Sequence, residues 1–154
     1  MPAVTTRAAT EADAGLLLEW RNDPVTRRWS RDTGEVGLDD HLAWLSRSLG
    51  SAERLLLIAE SGGAAAGNVR FDLRAAGVWE VSITVAPEFR GRGLAGAILA
   101  AGEEALLRAR PVDTVLAAVH RENAASAALF DRAGYVEREE PEGPFRRLSK
   151  TFVR

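Results

Sequence analysis

Val78-Trp79-Glu80-Val81-Ser82-Ile83-Thr84-Val85 runs through Ala86 into Pro87-Glu88-Phe89-Arg90-Gly91-Arg92-Gly93-Leu94-Ala95-Gly96. The first eight residues alternate, with Trp79, Val81, Ile83 and Val85 on one face and Glu80, Ser82 and Thr84 on the other, the period of a half-buried strand. The alanine- and leucine-rich stretch from Leu94 to Arg108 reads as a helix. The stretch Pro87–Gly96 that joins them holds three glycines and two arginines. Glycines let a backbone approach a ligand without a Cβ in the way, arginines bring positive charge, and the start of a helix presents free N–H groups at its positive end. The expected guest is a pyrophosphate-bearing cofactor.

Composition narrows the chemistry. The 154-residue chain has the length of a single domain, 1–154, with no linker or repeat. It has no cysteine and only two histidines, His41 and His120, which excludes disulfides and thiolate nucleophiles and predicts no metal site. A net charge of -2 argues against a nucleic-acid partner, which needs a basic face. No apolar run approaches a membrane span, and Met1–Thr10 lacks the pattern of a secretion leader. The expectation is a cytoplasmic protein acting on small molecules, without nucleic acid or membrane.

The remaining elements alternate between strand and helix. Val4–Arg7 predicts a first strand; Thr10 and Asp13 form a helix-start box before Leu16, Leu17 and Trp20, and Pro24 is expected to end that helix. Leu38–Leu49 predicts a second helix. Arg54–Glu60 and Ala65–Leu73 predict a hairpin about Ser61-Gly62-Gly63. Beyond the glycine turn and its helix come a strand at Val115–His120, a helix at Asn123–Ala133 stopped by Gly134, and two strands, Tyr135–Glu139 and Phe145–Val153, around a Pro141–Pro144 loop.

The turn admits three readings. Gly91-Arg92-Gly93-Leu94-Ala95-Gly96 matches G-x-G-x-x-G, the dinucleotide fingerprint, but too few residues follow Gly96 for the further βα units of that fold. A Walker loop fails because no Gly-Lys-Ser or Gly-Lys-Thr follows. The third reading is Arg90-x-x-Gly93-x-Ala95, the turn of an acyl-coenzyme A site.

On these residues the chain resembles the GNAT superfamily of N-acetyltransferases: Ile83 to Gly96 is similar to its acetyl-coenzyme A motif, and Asn123-Ala124-Ala125-Ser126-Ala127-Ala128-Leu129-Phe130 with Gly134-Tyr135 to its second motif. The resemblance implies an α/β GNAT (acyl-CoA N-acyltransferase) fold, a mixed, mostly antiparallel, splayed sheet flanked by helices. It implies acetyl-CoA as donor, with coenzyme A as product. The backbone of Ile83, Thr84 and Val85 would pair with the pantetheine arm, and the amides of Arg90, Gly91, Arg92, Gly93, Leu94, Ala95 and Gly96 would hold the pyrophosphate. Asn123 would bind near the pantetheine or cap its helix, and Phe130 would also lie beside the cofactor. Many relatives carry a tyrosine at the position of Phe130, thought to protonate the leaving thiolate, so this chain departs from the pattern there. Ser126, one turn earlier, is the nearest hydroxyl on that helix. Tyr135 falls where the family keeps an aromatic core residue.

Thioester aminolysis needs a neutral amine, and a lysine-like amine of pKa about 10.4 is less than ~0.1% neutral at pH 7. Glu80, on the polar face of the central strand, is the first candidate base or, alternatively, a salt-bridged strand carboxylate. His120 is the second. The resemblance suggests the Val85 amide for the thioester oxyanion.

The acceptor is expected to meet Trp20, Arg21, Arg27, Arg28 and Glu80. The segment Leu16–Arg31 joins aromatic rings to concentrated positive charge, which suits a phosphorylated acceptor read through bidentate guanidinium contacts. With His41-Leu42-Ala43-Trp44-Leu45 it is similar to the GNAT branch of ribosomal-protein N-terminal acetyltransferases and the amino-sugar-nucleotide acetyltransferases of pseudaminic-acid pathways. The resulting expectation is acetyl transfer to a primary amine of a small molecule, such as a nucleotide-linked amino sugar. The alternatives are a protein N-terminal acetyltransferase, a silent acyl-CoA-binding module and a nicotinamide-dependent enzyme. Both a monomer and a homodimer fit.

Overall fold

A computed structural model describes residues 3–153, the side chain of Glu139 excepted. Met1, Pro2 and Arg154, which the expected domain span includes, lie outside the described residues. Seven strands form one sheet in the order β1-β2-β3-β4-β5-β7-β6, comprising β1 (Val4–Ala8), β2 (Arg54–Ser61), β3 (Ala64–Ala75), β4 (Val78–Val85), β5 (Thr114–His120), β6 (Val136–Glu142) and β7 (Phe145–Thr151). Every neighbouring pair is antiparallel except β4 and β5. Those two are parallel because a helix, α4 (Ala95–Ala109), crosses between them.

The alternation read from Val78–Val85 divides the molecule into two layers. Trp79 and Val81 join Val69, Phe71, Val115, Ile98, Leu99 and Leu106 in the larger core, under α4 and α5 (Ala124–Arg132). On the other face, α1 (Ala14–Asn22), α2 (Pro24–Trp29) and α3 (Leu38–Ser48) lie between β1 and β2 in the chain. Leu17, Trp20 and Leu45 pack there with Leu56 and Ile58 of β2 in a smaller core. The polar residues of β3 and β4, Asn68, Arg70, Ser82 and Thr84, therefore face the helices of this smaller layer.

The Thr10–Asp13 box forms as expected: the Thr10 amide donates to Asp13 Oδ2 at 2.8 Å, and Arg7 adds two hydrogen bonds to the same carboxylate. Two prolines do more than expected. α1 ends at Asn22, just before Pro24 as expected, but Pro24 also opens α2, because the Asp23 side chain accepts the Val25 and Thr26 amides while proline at the first helical position gives up no bond. Pro141 lies within β6, and only Gly143-Pro144 turns the hairpin. That strand is at the sheet edge, where a missing N–H costs no ladder bond.

Candidate active site

β4 and β5 are paired only from Val78 to Val81, against Thr114 to Ala117, and then part. On its other side β4 stays paired with β3 as far as Val85. The Ala86 amide donates to Ala66 O at 2.8 Å on the β3 side. Alternation along the strand therefore turns the N–H and C=O groups of Ile83 and Val85 the other way, into the gap left by β5. The splayed strand end expected from the sequence is thus present, with two residues' backbone groups facing open space.

The strand runs through a single 3-10 turn, Pro87–Phe89, into the glycine segment. Gly91 and Gly93 have φ of 76° and 71°, values that favour glycine and permit the tight reversal before α4. No side chain caps α4 at Leu94, so its first amides remain available, and the Cα hydrogens of Gly91 and Gly96 look onto open space. This is a cradle of free N–H groups at the positive end of a fifteen-residue helix. The two arginines divide their roles. Arg90 donates to Asp23 Oδ2 at 2.7 Å and to Thr26 Oγ1 at 3.2 Å, tying the cradle to α2, and the guanidinium holds the Asp23 carboxyl below its usual range. Arg92 lies 4.9 Å over the Phe89 ring and makes no ion pair among the described residues.

Asn123 caps α5. Its Oδ1 accepts the Ser126 amide at 3.1 Å, and its Nδ2 donates to Ser126 Oγ at 3.0 Å, so the Ser126 hydroxyl is held at the cap. Phe130 is buried, edge-on to Tyr135 with ring centroids 5.0 Å apart. The Tyr135 hydroxyl donates to Glu103 Oε2 at 2.6 Å, and Lys150 reaches Glu103 Oε1 at 3.1 Å. Burial pushes the Tyr135 phenol well above its ordinary pKa. Tyr135 is therefore the aromatic core residue expected, committed to a buried acid.

Glu80 stands on the polar face of β4 with both carboxylate oxygens engaged. Arg31 donates to Oε2 at 3.0 Å and Arg74 to Oε1 at 3.3 Å. His120 closes β5 with its ring 5.3 Å from Trp29 and 5.5 Å from Phe145. Its Nδ1 accepts the Glu122 amide at 3.1 Å, so in the neutral ring the proton is on Nε2 and His120 offers a donor.

Two cavities open on this face of the sheet. One, of about 400 Å³, lies between the α1–α3 layer and β3/β4. Trp20 and Arg21 line it from α1 and Asn68, Arg70, Ser82 and Thr84 from the sheet, while Asp32, Glu35 and Asp40 bring three carboxylates. His41 lines it too, with Nε2 donating to Ala14 O at 3.0 Å; burial lowers its pKa and keeps the ring neutral. The other cavity, of about 420 Å³, lies over β4, β5 and β7 and includes Glu80, Arg31 and Glu142.

The expected acceptor residues are thus separated. Trp20 and Arg21 line the first cavity and Glu80 the second. Arg27 and Arg28 line neither: Arg27 Nε donates to Thr33 O at 3.0 Å and pairs with Glu35 at 3.7 Å, and Arg28 lies 4.6 Å over the Trp29 ring. The sequence reading passed over Asp23, Asp32, Glu35 and Asp40. Asp40 carried only a helix-terminus signal, and the loop acids carried none, since their place in the cavity depends on α2 and on long-range packing.

Residues 4–136 match the model of the acetyltransferase (GNAT) domain family. No curated protein matches the sequence. Among solved structures, the chain is similar to aminoglycoside acetyltransferase AAC(6')-Ib in complex with paromomycin and acetyl-CoA, at TM-score 0.82 and 21% identity over 97% of this chain and 93% of that one. It is similar to spermidine N-acetyltransferase from Vibrio cholerae in complex with CoA and spermine, at TM-score 0.83 and 16% identity over 96% and 95%. A domain from Methanocaldococcus jannaschii superposes at TM-score 0.84 and 15% identity over 99% and 100%. At these identities the likeness is one of fold.

Proposed function

The chain belongs to the acetyltransferase (GNAT) domain family, and from that premise we propose that it transfers acetyl from acetyl-CoA to a primary amine of a small cationic molecule. The observation that carries this reading is the parting of β4 from β5 beside a free-amide cradle, on the same strand that floors an acid-lined cavity. The cradle fits a pyrophosphate. Its amides are uncapped, Gly91 and Gly96 leave room for close approach, and Arg92 is free to pair with phosphate oxygens.

Acetyl-CoA supplies an activated acyl carbon; the amine nitrogen forms the new C–N bond as the C–S bond breaks, the amine gives up a proton and the sulfur takes one. The Val85 N–H, facing the gap, is placed to stabilise charge on the thioester oxygen. Glu80 is the acceptor of the amine proton, directly or through water. Phe130 supplies no acid; the Ser126 hydroxyl accepts from Asn123 Nδ2 and keeps its own proton, so in this reading Ser126 or solvent protonates the thiolate. Asn123 serves the same cap and thereby orients α5 beside the gap.

Cationic acceptors are favoured because, among the described residues, Asp32 and Asp40 line the cavity without an ion-pair partner, while Glu35 is paired with Arg27 and Arg70 with Asp72. The neighbouring structures that hold spermine and paromomycin agree with this choice. One observation favours a second reading, an amino sugar carrying a phosphate, as in the nucleotide-linked branch: Arg21 lines the cavity and its buried Nη1 has no partner.

A thiol-release assay with acetyl-CoA tests both against polyamines, aminoglycosides, amino-sugar nucleotides and N-terminal peptides. Release with polyamines or aminoglycosides is expected. Preference for amino-sugar nucleotides or peptides overturns the cationic acceptor, and binding of acetyl-CoA without release from any amine marks a silent module. Glu80→Gln is expected to lower kcat on the order of 100-fold, with partial recovery at high pH as the free amine becomes neutral.

A further inference from the structure

The two cavities lie on one sheet face; Arg31 lines the one that holds Glu80, and the next residue, Asp32, lines the other. The Arg31 guanidinium donates to Glu80 Oε2 at 3.0 Å, approaches Glu142 Oε1 at 3.7 Å and lies 5.7 Å over the Phe145 ring. It thereby spans from β4 to the β6/β7 hairpin inside the cavity that holds Glu80. Glu80 is largely buried and its other oxygen is taken by Arg74. With both arginines in place the carboxylate charge is already matched, so an incoming ammonium competes with a guanidinium for it. Arg74 is carried within β3, at the bulge between Leu73 and Ala75, whereas Arg31 comes from the irregular segment after α2; both side chains are about half exposed.

We propose that Arg31 is a tethered stand-in for the acceptor: its guanidinium occupies the Glu80 carboxylate until a cationic acceptor displaces it, which joins the two cavities into one groove. The acceptor class this selects is a molecule with at least two cationic nitrogens. One cation meets Asp32, Glu35 and Asp40, and a second replaces Arg31 at Glu80. A monoamine can replace Arg31 at Glu80 only by giving up the contact with Asp32, Glu35 and Asp40. The inference rests on the acetyltransferase reading, because it needs Glu80 to lie in the acceptor site. The displacement makes and breaks no covalent bond; Arg31 exchanges one carboxylate partner for solvent while the acceptor takes its place.

The test is the acceptor KM of Arg31→Ala and Glu142→Gln in the full chain, with a diamine and a monoamine of matched length. Removing the tether is expected to lower the diamine KM about 2- to 5-fold, the range of a partly exposed ion pair. Glu142→Gln, which loosens Arg31 without touching Glu80, is expected to lower it less. Millimolar guanidinium chloride is then expected to raise the diamine KM of Arg31→Ala towards the wild-type value, since the free ion takes the vacated position; a merely structural role gives no such response. A diamine KM that rises or stays unchanged in Arg31→Ala, or a fall in kcat that guanidinium restores, overturns the proposal, because Arg31 then builds the site. Glu142→Gln guards against a misfolded first variant, and melting curves of both verify the fold. Failure of the acetyltransferase reading is distinguishable, as the wild-type protein then releases no thiol with either amine.

Discussion

Gly67→Ala is the substitution that most directly tests the donor site. Gly67 in β3 lies opposite Val85 in β4, where β5 has already departed. A Cβ at Gly67 would stand 2.3 Å from the Thr84 carbonyl oxygen and 3.2 Å from Val85 Cα. Both are backbone atoms, so no rotamer change relieves the contact, and β4 must withdraw by about 1 Å to restore ordinary packing. Overpacking of this kind costs about 1–3 kcal/mol. For a domain of this size that lowers Tm by roughly 2–12 °C. The same shift moves the Ile83 and Val85 backbone groups that face the gap. Losing one or two amide hydrogen bonds, at about 0.5–1.5 kcal/mol each, weakens coenzyme A binding roughly 2- to 150-fold. Thermal melts and calorimetric titration with coenzyme A measure the two effects. Gly15→Ala in α1 is the control, since its Cβ would meet nothing within 4 Å and is expected to leave stability equal or slightly raised. A Gly67→Ala protein with lowered Tm and wild-type coenzyme A affinity refutes the placement of the donor along β4; one unchanged in both refutes the packing argument.

Arg92→Ala is expected to weaken coenzyme A binding about 10- to 100-fold and flatten its salt dependence, whereas Arg90→Ala acts mainly on Tm through the lost Asp23 pair. The buried, neutral His41 has a pKa below its unfolded value of about 6.5, so the unfolded chain binds more protons and stability declines as pH falls below that point. Urea melts from pH 8 to pH 5 are expected to show this decline, and His41→Gln to blunt it. Asp13 and Asp23 have carboxyls depressed by Arg7 and Arg90; their stabilisation is full above the unfolded carboxyl pKa, about 3.9, and is lost in stronger acid. Melts at pH 3 of Asp13→Asn against wild type check it, the variant being expected to lose less on acidification. Tyr135→Phe leaves a buried Glu103 oxygen unpartnered and is expected to cost about 1–3 kcal/mol in a denaturant melt, with kcat unchanged.

Local rules made much of the fold readable. The alternation of Val78–Val85, the Thr10–Asp13 box and the Gly62-Gly63 reversal, both of whose glycines have positive φ, each depend on residues a few positions apart. The donor cradle was readable for the same reason, being contiguous. Two prolines show where a local rule needs context: Pro24 ends α1 as expected but also starts a helix because Asp23 caps it, and Pro141 is tolerated within β6 because that strand has no outer neighbour. The acceptor side was less legible. Asp32 and Glu35 reach the cavity only through the loop after α2, and on the donor side Gly67 carries no motif either, since its constraint comes from β4 across the sheet.

The arginines of the second segment show why charge alone misdirects. As a string, Arg21, Arg27, Arg28 and Arg31 imply an anion-binding surface. In the fold, Arg21 Nη2 donates to Asp32 O, Arg27 to Thr33 O, Arg28 lies on Trp29 and Arg31 holds Glu80. Three of these contacts fix the loop that carries Asp32 and Glu35 or the helix leading into it, so the cations serve to position the acids. The short α2 is what makes this possible. Asp23 pins its start to Arg90 in the donor cradle, and Arg31, just past its end, pins it to Glu80. A helix six residues long thus spans from the turn expected to hold the donor to the carboxylate expected to meet the acceptor. Loosening either pin should therefore be felt at both sites, which makes Asp23→Asn informative: a change in coenzyme A affinity without a change in acceptor KM would show that the two ends of α2 act independently.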